Sequence, residues 1–425
     1  MNFYDFQIRA WRVDEEHAQV LVHSSPAGDI RKPLTVNLDP GRLNGLRQLV
    51  DNCWKWPPGT TQTIIKAGNE LAEILLPVPV HTLLIKSLER VPPEDGLRVR
   101  LCLDKDLIDL PWEFLYRSDG TDEDGLAGFV VLNPRISLVR EAPILIYKPS
   151  LSDEPQRLVF AGTPYSVNGK KDAWGTEEEY RRLSLSLNQV VEKGFLEIDP
   201  YITSDGDNIE RALVEPAAFF HYSGHTDEEN GQSYLTKTIK DGAVAERLWS
   251  EKLGDLLRRA QTKLAVFSAC NSGQWGFVKP LLKAGLPALV GAQGLVSSGA
   301  ASWFSQNLYK SLALGLSLDE AVTWARFHVL EVGKALANEN CEWGSLMVYT
   351  QSAQAVLIPK AKDEGLREQQ EEARAEREQT IVNVTNYIIS GNVGTLIDQD
   401  VGTVQSGGNV AGVVDRRLSR EDADT

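Results

Sequence analysis

Apolar and polar positions along this 425-residue chain fall into two unequal series. Residues 1–145 alternate short β-rich runs with turn clusters. They end in LRVRLCLDKDLIDLPWEFLYR and FVVLNPRISLVRE, two strand-like runs around a turn-to-helix element in which Pro111 suits a first helical turn. The stretch APILIYKPSLSDEPQ, with Pro143, Pro149 and Pro155, reads as a connection between halves.

The second series is more regular. QRLVFAGTP, LEIDPYIT, AAFFHYSGH, KLAVFSAC and PALVGAQG read as strands, with GTEEEYRRLSLSLNQVVEKG, the span around NIERALVEP, and AERLWSEKLGDLLRRAQ as helices between them. Such alternation predicts an α/β fold: a largely parallel sheet covered by helices, with functional loops at one edge of the strands. Two further helices follow, SGAASWFSQNLYKSLALG and SLDEAVTWARFHVLEVGKALA. Ser317 and Glu320 stand at capping-box spacing before the second. CEWGSLMVYT then closes the sheet.

Residues 361–380 are almost entirely polar and rich in helix formers, which predicts a solvated helical linker. The composition then changes to Gly, Asn, Val and Thr over residues 381–425, with Val393-Gly394-Thr395 recurring as Val401-Gly402-Thr403. This reads either as a short β repeat that gains by pairing with copies of itself or a partner, or as a flexible low-complexity tail. The domain expectation is thus an amino-terminal half (1–150), a second half (151–360), a linker (361–380) and a β-repeat tail (381–425).

Composition narrows the classes. No run reaches the eighteen apolar residues needed to span a bilayer, and the start has no secretory pattern, so a cytoplasmic protein without a membrane partner is expected. A formal net charge of −15 opposes nucleic acid and favours a protein partner. Cys53, Cys102, Cys270 and Cys341 are scattered without metal-ligand spacing, so free thiols, no structural zinc and no cofactor are expected.

Two of the predicted strands, AAFF and KLAVF, run into the turns HYSGHT and SACNSG, which places His225 and Cys270 on one sheet edge. A thiol is a useful nucleophile as thiolate, which an imidazole promotes, and the same imidazole then protonates a leaving amine. Gly224, Ser272 and Gly273 are small enough to let a peptide backbone approach. The plain alternative is a buried core cysteine and a loop histidine. The upstream histidine lies near the spacing found in caspases.

HYSGHT, VFSACNSG and GLPALVGAQGLVSSGAASWFSQNLYKSLALGLSLDEAVTWAR, with DLPWEFLY and WGSLMVYT, together resemble a CHAT domain, over residues 1 to about 358. The resemblance implies a caspase-like α/β sandwich whose first half is a degenerate companion and whose second half holds a catalytic dyad, Cys270 and His225. It implies an oxyanion hole from the backbone amides of Thr226 and Cys270. The family usually has glycine where this chain has Thr226. His221, four residues before His225, is either support for the dyad or an ordinary strand residue. Related proteases specific for basic residues place an acid two positions before the cysteine. This chain has Ser268 there, which predicts an uncharged residue before the scissile bond, unless Asp227, Glu228 and Glu229 replace that acid.

The implied function is a cysteine endopeptidase of bacterial defence or cell death that cleaves a protein substrate when recruited by a separate sensor or activator through residues 381–425, with self-association of the tail as a further expectation. A catalytically silent scaffold of the same fold is the competing reading.

Overall fold

The computed structural model describes residues 2–54, 61–117, 126, 128–141, 156–163, 175–202, 208–240, 243–335 and 341–350. The expected connection, linker and tail therefore lie outside the described residues.

The first series forms β1 (Phe3–Arg12), β2 (His17–Ser24), β3 (Leu34–Asn37), α1 (Pro40–Trp54), α2 (Thr61–Leu75), α3 (Val78–Arg90), β4 (Gly96–Leu103) and β5 (Ile136–Glu141). The expectation of β-rich runs throughout residues 1–145 is corrected here, because three helices occupy residues 40–90. The reason is visible in α2, where Ile64, Ala67, Leu71 and Ile74 are buried on one helical stripe.

The second series forms β6 (Gln156–Gly162), α4 (Thr176–Glu192), β7 (Leu196–Ile202), α5 (Asn208–Ala212), β8 (Phe219–Ser223), β9 (Thr226–Glu229), β10 (Gln232–Lys240) and β11 (Ala243–Trp249). It continues as α6 (Ser250–Arg259), β12 (Leu264–Ser268), α7 (Trp275–Lys283), β13 (Ala288–Ala292), α8 (Ser298–Ala313), α9 (Leu318–Ala335) and β14 (Leu346–Thr350). AERLW is not the start of a helix but strand β11, paired with β10, and the helix begins at Ser250. The hairpin β9–β10 turns on Asn230 and Gly231, both with positive φ (53° and 76°), as two-residue hairpins require.

Among the described residues, eleven strands form one sheet in the order β3-β2-β1-β4-β5-β14-β13-β12-β8-β6-β7. Only β3–β2, β2–β1 and β14–β13 pair antiparallel; the other neighbours are parallel. The α/β expectation of a largely parallel sheet with covering helices therefore holds. β9, β10 and β11 form a separate small sheet. No single helix among the described residues is long and apolar enough to cross a membrane.

The two series meet at β14, which pairs with β13 on one side and β5 on the other. The seam is polar and buried. Arg140 on β5 pairs with Glu113, both without solvent exposure, and donates to the Leu110 carbonyl (2.9 Å). Arg326 on α9 donates to the Leu346 carbonyl (2.6 Å). An unpaired charge at such depth costs several kcal/mol, so these partners fix the relative placement of DLPWEFLY, β5 and β14.

Candidate active site

Strands β8 and β12 are parallel neighbours with Ser223 opposite Ser268 as their last paired residues. His225 and Cys270 each lie two positions further on, at the carboxyl edge where loops of a parallel sheet collect ligands. Both residues are half-buried. The structure thus brings the two expected residues to adjacent strand ends. Their side chains make no hydrogen bond to each other; the Cys270 Sγ instead lies 3.8 Å from the Val296 carbonyl oxygen.

The histidine turn is built around Tyr222. Its buried hydroxyl, pushed up to about 12 by desolvation, accepts from the His225 N–H (3.2 Å) and donates to the Thr236 carbonyl (2.6 Å). Gly224 is obligatory beside it, since a Cβ there would stand 2.6 Å from the Tyr222 hydroxyl. The turn then enters β9, whose first residue, Thr226, donates its hydroxyl to the Cys270 carbonyl. That bond joins the two turns directly, and a glycine would not supply it. The Thr236 N–H donates to the His225 carbonyl (2.9 Å), and Thr226 faces Leu235 next along the ladder. Antiparallel alternation therefore turns the Thr226 N–H away from β10.

The cysteine turn is held from beneath. Asn271 sits in the left-handed region (φ 58°), and its N–H donates to the Gly294 carbonyl (3.0 Å). Ser272 donates to the Ala269 carbonyl (2.7 Å) and accepts from the Ala292 N–H (3.0 Å). Ser272 and Gly273 are buried, and a Cβ on Gly273 would meet Met347 at 2.7 Å. They serve turn packing, which corrects the expectation that they clear space for a peptide. Asp109, from the first series, accepts from the Trp275 N–H (2.7 Å) at the start of α7.

Under the strand ends His221 and Ser268 meet three residues that the sequence did not reveal, Glu179, Ser305 and Tyr309. Glu179 in the first turn of α4 is 3 % exposed. Its Oε1 accepts from the Ser268 hydroxyl (2.5 Å), from the Ser305 hydroxyl of α8 (2.6 Å) and from His221 Nε2 (3.1 Å). His221 Nδ1 faces the Tyr309 hydroxyl at 3.3 Å, and the imidazole stacks on Phe160 (4.7 Å between centroids, 7° between planes). A carboxylate only accepts, so His221 Nε2 carries the proton of its bond to Glu179. Burial pushes the Glu179 carboxyl up, but His221 and the hydroxyl donors outweigh it and hold the group below its ordinary value. Ser268 is thus tied to a carboxylate, and His221 belongs to the buried layer beneath the site.

Asp227 and Glu228 are exposed on β9, with the Glu228 N–H donating to Asp227 Oδ1 (2.8 Å). Among the described residues, no group of three His, Cys, Asp or Glu side chains is placed to hold a metal.

Among curated proteins none matches the chain. Solved structures with a similar course include the Arg-specific cysteine proteinase gingipain R, at 12 % identity over 72 % of this chain and 71 % of that one (TM-score 0.41). The complex of Porphyromonas gingivalis RgpB pro- and mature domains is similar at 13 % identity over 76 % and 78 % (TM-score 0.43). The Saccharomyces cerevisiae separase–securin complex is similar at 12 % identity over 74 % of this chain and 22 % of that one (TM-score 0.32). The family model described as the CHAT domain matches residues 66–377, well over half of the sequence, and the chain belongs to the CHAT domain family.

Proposed function

We propose that the chain is a cysteine endopeptidase in which Cys270 is the nucleophile and His225 its acid–base partner. The observation that carries this reading is the register of β8 and β12, which sets both residues two positions beyond the pair Ser223 and Ser268. The link from Thr226 to the Cys270 carbonyl holds the two turns together. The Cys270 thiolate attacks the carbonyl carbon of the scissile peptide, and the carbonyl π electrons move onto oxygen. The amides of Thr226 and Cys270 stabilise that oxyanion. Protonated His225 gives its proton to the leaving amine as the C–N bond breaks, leaving a thioester. His225 then takes a proton from water, whose oxygen displaces Cys270 and releases the carboxylate. Catalytic hydrogen bonds of this kind commonly tighten only around bound substrate, which accounts for the separated side chains.

In this reading the substrate is a protein and the setting is cytoplasmic. Recruitment by an activator runs through residues 381–425, and the defence setting rests on family resemblance. The residue before the scissile bond is uncharged, because the carboxylate nearest Ser268 already accepts three hydrogen bonds.

The test is cleavage of a proteome-derived peptide library by the full chain, by Cys270→Ala and by His225→Ala, read by mass spectrometry. Each variant is expected to lose about a thousandfold or more in turnover while remaining folded. A variant that keeps wild-type turnover removes that residue from the mechanism. A wild type that cleaves nothing, and whose Cys270 is alkylated no faster than a free thiol, replaces the reading with the silent scaffold.

A further inference from the structure

Residues that touch no substrate often decide how well a dyad is placed, because an error of about 1 Å costs on the order of a hundredfold in rate. Five features converge on Glu179. It is buried in the first turn of α4, yet it stays ionised among donors. One of its oxygens accepts from three elements at once: β8 through His221, β12 through Ser268 and α8 through Ser305. Two of those donors stand at fixed distances in sequence from the dyad, four residues before His225 and two before Cys270. The third, Ser305, also meets Ser268 directly (3.1 Å), closing the group. The His221 ring is clamped on its other faces by Phe160 and Tyr309, so it cannot turn away without losing stacking as well as a hydrogen bond.

We propose that Glu179 is the positioning residue of this site: its carboxylate pins the ends of β8 and β12 to each other and to α4 and α8, and so sets the approach of His225 to Cys270. The inference rests on the dyad reading above. Carboxylate acceptors make stronger, shorter hydrogen bonds than neutral ones, and in a buried site they lose nothing to competing water. A neutral side chain of the same shape keeps an acceptor but not the charge, whereas a truncated one leaves His221, Ser268 and Ser305 without their common partner.

The experiment uses the full chain and the variants Glu179→Gln, Glu179→Ala and Ser305→Ala. Turnover is measured on a peptide taken from the library, and the rate of Cys270 alkylation by iodoacetamide is followed across pH, always well below each variant's melting midpoint. Glu179→Ala is expected to lower kcat about a hundredfold with KM within about twofold. Glu179→Gln is expected to fall between it and wild type, and Ser305→Ala to lose less than tenfold. The alkylation rate of the two Glu179 variants should drop in parallel, and its pH inflection should move away from that of wild type. Should Glu179→Ala not fold, Glu179→Gln and Ser305→Ala decide. Variants that melt earlier but match wild type in kcat, alkylation rate and inflection give Glu179 a purely structural role and overturn the proposal. If wild-type alkylation does not depend on His225, the dyad reading fails first. If it does depend on His225 and the Glu179 variants are silent, only the positioning role fails.

Discussion

β8 and β12 bury two unlike faces. On one side Phe220 and Phe267 meet each other (6.0 Å between centroids), and Phe267 meets Phe277 of α7 (5.1 Å), in a mainly apolar layer. On the other side His221 and Ser268 meet Glu179, Ser305 and Tyr309 from α4 and α8. The apolar face adheres in proportion to area and tolerates small shifts. The polar face is satisfied in one arrangement alone, and every displaced donor leaves an unpaired buried group. The sheet is therefore held together by one layer and held in position by the other.

The largest effect that separates the two faces is expected from Phe267→Ala. Removing this fully buried ring should cost about 3–5 kcal/mol of stability by chemical denaturation. Cys270 alkylation in the surviving folded protein should nonetheless stay near wild type, the reverse of what Glu179→Gln does. If Phe267→Ala slows Cys270 as much as Glu179→Gln, the division of labour between faces is wrong.

Acid should act first on α9, outside that polar layer. His328 on α9 is largely buried, and desolvation, with Lys310 and Arg182 nearby, pulls it down to about 4 from 6.5. Its neutral form is the one that folding favours. The stability it contributes is therefore fully present above pH 6.5 and is lost as pH falls from 6.5 toward 4, by up to about 3 kcal/mol. Glu179, whose carboxyl is lowered, gives up its contribution only below its ordinary value of 4.5. His81 is also pulled down by burial, so a loss between pH 6.5 and 4.5 that His328→Leu makes clearly smaller assigns that share of the window to His328. A loss of unchanged size in that variant refutes it.

The smallest effect concerns the bond between the turns. Thr226→Val keeps the shape of the side chain but deletes its donor to the Cys270 carbonyl. The expected loss is about 1 kcal/mol, read as a fall of roughly fivefold in Cys270 alkylation. An unchanged rate means that the bond does not restrain the cysteine turn.

The placement of His225 and Cys270 at one sheet edge was legible because the runs AAFF and KLAVF each lead directly into a turn, a pattern that depends on neighbours in sequence. Glu179 was not. It stands in the run Glu177, Glu178 and Glu179, which reads as an acidic first turn complementing the helix dipole. Its only local sign is its place at the head of the buried series Glu179, Leu183, Leu187 and Val190. Ser305 and Tyr309 gave no sign at all, since the partners that define their role, Glu179 and His221, stand 126 and 88 residues away. Strand β11 was masked for a related reason. AERLW is continuous with a strongly helical segment, and only its pairing with β10 makes it extended. Thr226, singled out because a glycine was expected there, proved to be a tie between two turns.

β14 is the last strand described, yet it occupies the middle of the sheet, between β5 and β13. On a ribosome both flanking strands are made long before it. Until residues 346–350 emerge, β5 and β13 each present an open edge, and Arg140 and Arg326 lack the Tyr349 ring and the Leu346 carbonyl that they meet in the finished fold. Closure of the seam is therefore a late, long-range step in folding. The Tyr349 hydroxyl also donates to the Gly273 carbonyl (3.2 Å) beneath the cysteine turn, so the nascent chain carries an unfinished site until its central strand arrives.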